Sequence, residues 1–354
     1  MNDPRVSDAP GTSGVVAPDQ NGSAAIDQAN RSTGGSARLR RWSLKYGLLG
    51  AWAIEILVFT LLDPHTFFTA DDAKSLLSSQ GALLVLAFSV VPTLSVGEID
   101  LSIASVMTLS ATLVGQLNGM DHWSLGVSLV IAIAAAPLVG LINGIVTVYM
   151  GVQGIIVTLG MGTFLLGLSE GISHSLTVGG VSVHLENAMN NDLLGISLSF
   201  WYALGIMVIL WYLFRHTPLG RRLLFVGFNR EVARLSGVPV PRLRILGFVS
   251  GALLAGLAGI ITVGVAGGLQ PSSLQSLLLP AFAAAFVGST IFVPGRVNTL
   301  GSFVAVLFLQ TGITGLELRG LTDWVEDVFY GAALVIAVVG SRFFYLRARR
   351  AGES

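Results

Sequence analysis

Apolar runs of about 20 residues recur along most of this chain, and no other feature constrains its fold as tightly. A run of that length crosses the hydrocarbon core of a bilayer as an α-helix, which pairs every backbone N–H and C=O within one segment. Segments near 46–62, 76–96, 101–118, 124–149, 155–174, 198–214, 243–265, 277–292, 298–315 and 324–342 predict ten such helices. The fold class expected is an all-α polytopic membrane protein. Only 11% of the 354 residues are charged, against about 25% in soluble domains. Mean hydropathy is +0.75. The formal net charge of zero argues against a nucleic-acid partner. Cysteine is absent, which excludes disulfides and thiolate metal sites. The 43 glycines suit close helix packing in lipid.

Residues 1–37 are rich in Gly, Ser, Asp, Asn and Ala and are expected to form a disordered cytoplasmic tail. They lack the apolar centre of a signal peptide. Residues 38–343 form the expected transmembrane domain, and 344–354 a cytoplasmic C-terminal tail. With ten spans, both termini lie in the cytosol. That orientation gathers Arg5, Arg31, Arg38, Arg40, Arg41, Lys45, Arg296, Arg342, Arg347, Arg349, Arg350 and the seven arginines of 215–244 on the cytosolic side. These are 18 of the 20 basic residues, leaving Lys74 and Arg319 outside. This agrees with the positive-inside rule, although Arg5 and Arg31 are too far from a span to weigh much. The expected external loop 175–197 holds His184, Glu186 and Asp192 and no Lys or Arg.

The segment from Arg215 to Arg244 is the long basic stretch of the chain. It holds Arg215, Arg221, Arg222, Arg230, Arg234, Arg242 and Arg244 against one acid, Glu231. Asn229 is placed to cap a short helix over 230–236, with Gly237 ending it and Pro239 and Pro241 blocking its continuation. The plain reading is a positive-inside loop. The capped helix adds a second reading, a rigid cytosolic docking element.

Charged residues within the apolar segments are few. Gly97-Glu98-Ile99-Asp100-Leu101-Ser102 puts two acids at a break between spans. Asp100 either caps the following helix, with Glu98 in interfacial water, or lines a polar path through broken helices. Glu55 lies inside the first span, as either a functional carboxylate or a neutral, interface-facing one. Asn143 either bonds between helices or touches a polar solute. Ala252, Ala255, Gly256 and Gly259 have the spacing of a close helix contact. A weak repeat relates 154–172 to 295–313, with eight of 19 positions identical, including Thr158-Leu159-Gly160 against Thr299-Leu300-Gly301. Repeated halves suit a transporter, and matched Gly/Leu composition accounts for the same similarity. No GxxxxGK[ST], HExxH or GxSxG motif occurs, and His65, His122, His174, His184 and His216 are scattered. The residues describe a solute pathway with neither an ATPase site nor a catalytic cluster of its own, and no cofactor is expected.

Several stretches resemble the permeases of ribose-type ABC sugar importers, within the branched-chain amino acid/ribose permease superfamily. Gly227 to Gly237, GFNREVARLSG, is similar to that family's GxNxxAARxSGI signature. Glu98 to Ile103 resembles its GIDLSVG segment. Gly140-Leu-Ile-Asn-Gly144, Ile156-Val-Thr-Leu-Gly160 and Ser250 to Gly259 resemble GLINGxL, FIVTLGT and SGLLAGLAG. The five keep family order across roughly residues 45–341. The resemblance implies a multi-pass protein of the bacterial inner membrane carrying a ribose-, xylose- or galactose-like sugar or another small polar solute. The partners implied are cytosolic ATPase subunits, an external or periplasmic solute-binding protein and a second permease copy in a homodimer, in contact with membrane lipid. Gly227, Asn229, Glu231, Ala233, Arg234 and Gly237 would belong to the element coupled to the ATPase. Gly97, Asp100, Ser102, Asn143, Thr158 and Gly160 are the candidate pathway residues. Val232 departs from the AAR triplet, Gln153-Gly154 stands where a Pro pair is usual, and Glu98 and Ala104 each replace a glycine. An ATP-independent carrier or facilitator is the alternative, and a membrane-embedded enzyme ranks behind both.

Overall fold

The computed structural model describes residues 46–62, 67, 69–293, 295–321 and 324–352, with side chains through 340. The N-terminal tail of 1–37 and the basic residues at 38–45 lie outside the described residues. In chain order the helices are α1 (Tyr46–Leu62), α2 (Ala70–Ser79), α3 (Gly81–Ser95), α4 (Ile103–Val114) and α5 (Leu125–Tyr149). Next come α6 (Gly154–Ile172), α7 (Val183–Asn190), α8 (Leu198–His216), α9 (Pro218–Phe228), α10 (Arg230–Leu235) and α11 (Val240–Ala266). The last are α12 (Leu278–Gly288), α13 (Thr299–Glu317) and α14 (Trp324–Gly352).

Among the described residues, six helices are long and apolar enough to cross a membrane: α5, α6, α8, α11, α13, and α12 together with the 3₁₀ turn before it. The count is seven if α2 and α3, bent by 49° at Gln80, form one broken span. The other expected spans fall on α1, which is shorter, on α4 with the π-helical turn Gly115–Met120, and on α14, which continues to Gly352. The two stretches of the weak repeat fall on α6 and around α13.

Lipid tails give no hydrophobic drive for helix association, so packing in a bilayer depends on close backbone approach. The helix that exploits this is α11, which packs on α3, α4 and α5. A Cβ on Gly140 would lie 2.5 Å from the Phe248 carbonyl oxygen, and one on Gly251 2.8 Å from that of Ser89. A Cβ on Gly256 would meet the Ala136 methyl at 2.5 Å, and one on Gly259 would collide with the Met107 carbonyl. Ala252, Ala255, Gly256 and Gly259 are all buried, which bears out the packing role expected of them. Helix α3 is enclosed along nearly its whole length, from Leu83 to Thr93. By contrast α5, α6 and α8 turn apolar side chains such as Val130, Leu138, Ile156, Phe164 and Ile209 outward. A predominantly apolar, outward-facing surface of this kind suits lipid rather than water.

Two ends of the bundle differ. At one end, residues 175–197 form a small cap rather than a simple loop. Strand β1 (Val178–Gly179) pairs antiparallel with β4 (Gly268–Leu269) beyond α11, and β2 (Asp192–Leu193) pairs with β3 (Ile196–Ser197). The Asn118 Oδ1 accepts from Ser182 N at 2.7 Å, and α7 packs Leu185 and Met189 beside Gly264 of α11. Lys74, ion-paired with Asp71 at 3.6 Å, lies beside Gly195 at this end. At the other end the chain leaves α8, forms α9 and α10, and enters α11.

Gly259→Val is expected to destabilise the folded protein by about 3 kcal/mol, because the added atoms meet main chain on a neighbouring helix. Gly167→Val on the open face of α6, where a Cβ meets nothing within 4 Å, should change stability by less than about 0.5 kcal/mol. Thermal unfolding in mild detergent, measured on both variants, checks the difference.

Candidate functional site

The basic segment folds as two short helices. Thr217 starts α9, its hydroxyl accepting from Gly220 N at 3.2 Å, with Pro218 at the first helical position. This helix was not foreseen, although the Thr-Pro pair is a sound start signal because proline lacks an N–H that the first turn would leave unpaired anyway. Asn229 starts α10 as expected: its Oδ1 accepts from Glu231 N at 3.0 Å and Val232 N at 3.1 Å. The helix ends at Gly237, which has φ 77°, a left-handed conformation that glycine adopts without a Cβ clash. There Gly237 N donates to Arg234 O and Val238 N to Ala233 O, each at 3.0 Å.

One face of this element is anchored. Ala233 is fully buried and packs with Leu223, Val226, Val240, Leu243 and Val96. A Cβ on Gly227 would collide with the Ser95 carbonyl, so the end of α9 lies directly on the end of α3. The opposite face is open. Phe228 is 71% exposed and Leu235 78% exposed, with Val232 also outward. Glu231 and Arg234 pair at 2.6 Å in solvent. Arg296 lies over the Phe228 ring, 5.6 Å from its centroid, so the loop carrying Arg296 shares this end of the molecule.

Beneath the element runs the turn from Val96 to Ser102, opened by Gly97 at φ 75°. The Glu98 Oε1 accepts from Arg230 Nη2 at 2.6 Å and from Arg244 Nε at 2.7 Å. Arg230 Nη2 also donates to Gly97 O at 2.7 Å, satisfying a carbonyl just past the end of α3. The Glu98 side chain is only 8% exposed. This corrects the expectation that Glu98 sits in interfacial water: two guanidinium groups replace the water.

The inner side of the same turn carries a second polar set. The Asp100 Oδ1 accepts from Ser102 N at 2.9 Å and from Ser102 Oγ at 2.6 Å. Ser102 Oγ in turn accepts from Asn143 Nδ2 at 3.0 Å, and Leu101 N donates to Thr158 Oγ1 at 3.0 Å. Asp100 therefore folds back on its own turn and does not cap α4, whose first residues receive no side-chain cap. Burial raises the Asp100 carboxyl above its usual range, and the two Ser102 hydrogen bonds oppose that shift. Asp100 Oδ2, Asn143 Oδ1 and Thr147 Oγ1 are buried without a partner among the described residues.

Of the six candidate pathway residues, Asp100, Ser102, Asn143 and Thr158 come together here, all buried. Gly97 stands on the turn's other side, facing Arg230, and Gly160 lies on the open face of α6 with no atom within 4 Å of a Cβ position. Sequence reasoning did not pair Glu98 with Arg230 and Arg244. The available signal was a carboxylate in place of a glycine, in a chain whose longest basic stretch lay elsewhere. It also passed over Thr147, one helical turn beyond Asn143.

The comparisons agree with this architecture. Residues 73–338 match the family described as branched-chain amino acid transport system / permease component. The chain is 26% identical over 309 residues to the ribose import permease protein RbsC of Escherichia coli, covering 85% of this chain and 94% of that protein. It is 25% identical over 300 residues to the D-allose transport system permease protein AlsC of the same species, covering 84% and 91%. It is 28% identical over 315 residues to the autoinducer 2 import system permease protein LsrD of Photorhabdus laumondii, covering 85% and 92%. No solved structure gives a significant match.

Asn229→Ala removes the acceptor for two N–H groups and should cost α10 about 1 kcal/mol. Hydrogen exchange should show the Ala233 and Gly237 amides opening about five-fold faster, with global unfolding unchanged. With the membrane-spanning helices, the glycine-packed core and the matched length taken together, the chain belongs to the permease-component family of the branched-chain amino acid transport system, as a multi-pass protein of the bacterial cell membrane similar to the permeases of ribose-type ABC sugar importers.

Proposed function

We propose that this chain forms the transmembrane pathway of an ABC importer for a sugar of the ribose, xylose or galactose kind, or a similar small polar solute. The observation that carries this reading is the α9–α10 element: rigidly capped, anchored through Ala233 and Glu98, and presenting Phe228, Val232, Leu235, Glu231 and Arg234 to solvent. A cluster of exposed apolar groups beside charges is a surface awaiting a partner. In this reading the partner is a cytosolic ATPase subunit, and Gly227, Asn229, Glu231, Ala233, Arg234 and Gly237 build the docking element. The ten-span topology keeps both termini in the cytosol. A solute-binding protein delivers solute at the opposite end, over the cap of residues 175–197. Two permease copies, a homodimer in the lipid bilayer, enclose the path.

The mechanism is alternating access. ATP binding draws the ATPase subunits together, and α10 follows them as a rigid body. Hydrolysis reverses the movement. Few charges are needed along the spans, because tight solute binding belongs to the delivering protein. Among the candidate pathway residues, Asp100, Ser102, Asn143 and Thr158 supply hydroxyl, amide and carboxyl groups that match a polyol's hydrogen bonds, while Gly97 and Gly160 lie apart from this set.

A second reading, an ATP-independent carrier, is favoured by one observation. Glu55 within α1 has a buried carboxylate oxygen without a partner among the described residues, as an ion-coupled carrier would require. Uptake by the purified chain in vesicles free of ATPase, lost in Glu55→Gln, would support it.

Leu235→Asp should lower recovery of the ATPase subunit with the detergent-solubilised permease at least ten-fold. Glu231→Ala with Arg234→Ala should reduce solute-stimulated ATP hydrolysis while insertion is unchanged, since an exposed pair contributes under about 1 kcal/mol to stability. Full coupling in both variants would contradict the assignment.

A further inference from the structure

Resting on the importer reading, we propose that Glu98 is a positioning residue that fastens the docking element to the polar turn and so transmits movement from one to the other. The turn has two bonded sides only a few residues apart. On one side the single oxygen Glu98 Oε1 holds Arg230, the first residue of α10, at 2.6 Å and Arg244, in the second turn of α11, at 2.7 Å. On the other side Ser102 is bonded to Asn143 of α5, and Leu101 N to Thr158 of α6. Displacing α10 therefore pulls on a segment whose inner groups are tied to two further helices.

Two observations separate this from an incidental surface pair. The carboxylate is enclosed, at 8% side-chain exposure, whereas the Glu231–Arg234 pair is open at 62% and 70%. Removing a buried acid leaves two guanidinium groups facing each other, so the contact has one preferred geometry. Backbone packing reinforces it, since Gly227 meets Ser95 directly and Val96 belongs to the same apolar cluster as Ala233.

The test uses the full permease assembled with its ATPase subunits and binding protein in vesicles. Glu98→Gln should assemble as the parent does, yet lower solute-stimulated hydrolysis about ten-fold. Glu98→Asp, which keeps the charge, should recover most of that loss. Glu98→Gln combined with Arg230→Gln should be no worse than Glu98→Gln alone. Should Glu98→Gln insert poorly, Arg230→Gln by itself reads the same contact from its more exposed partner, with the same ten-fold loss expected. Stimulation within two-fold of the parent in these variants, or single losses that multiply in the pair, would overturn the proposal. A parent permease that assembles with no ATPase subunit would overturn the importer reading and the proposal with it.

Discussion

Charge that cannot enter hydrocarbon organises this molecule. Seven arginines fall between residues 215 and 244, and each would cost several kcal/mol in the bilayer core. They therefore hold the ends of α8 and α11 at one water-facing end, and everything between must fold there without lipid around it. The fold meets that demand with side-chain caps at Thr217 and Asn229, a left-handed Gly237 and a small apolar cluster of its own. Among the described residues, one buried acid, Glu98, pairs with these arginines. Glu98 itself is enclosed, which is tolerable because both guanidinium groups reach the same carboxylate with short, charge-assisted hydrogen bonds.

The rest of the bundle is held by the absence of side chains. Glycines on α5 and α11 let the backbones of α3, α4, α5 and α11 approach to contact distance. Such interfaces resist shear, since a shift places carbonyl against Cα rather than sliding one flexible side chain past another. The helical backbone of this bundle is interrupted at the 49° bend between α2 and α3 and at the turn between α3 and α4. The turn between α3 and α4 is where α10 and the buried polar residues meet, the geometry on which the role proposed for Glu98 rests.

Much of this was legible in the residues. Apolar run length gave the class, small-residue spacing gave the contact face of α11, and Asn229 with Gly237 gave both ends of α10. What was not legible depended on contacts distant in sequence. Glu98 reads as a solvated rim acid because its partners lie 132 and 146 residues away. Asp100 reads as a helix cap because sequence spacing does not reveal that its carboxylate turns back to Ser102. The spans on α1 and α4 are short or end in an irregular turn, and hydropathy alone does not separate such elements from full crossings. The cap at 175–197 was missed because its strands are only two residues long, too short to show an alternating pattern.

The coupling role proposed for α10 requires that it face the cytosol. The chain has no cysteine, so Leu235→Cys introduces a single thiol at an open position of α10. A membrane-impermeant maleimide should label it in inside-out vesicles and leave it untouched in intact cells. Labelling from the outside of intact cells would contradict the orientation, and with it the coupling role built on Glu98, Arg230 and Arg244.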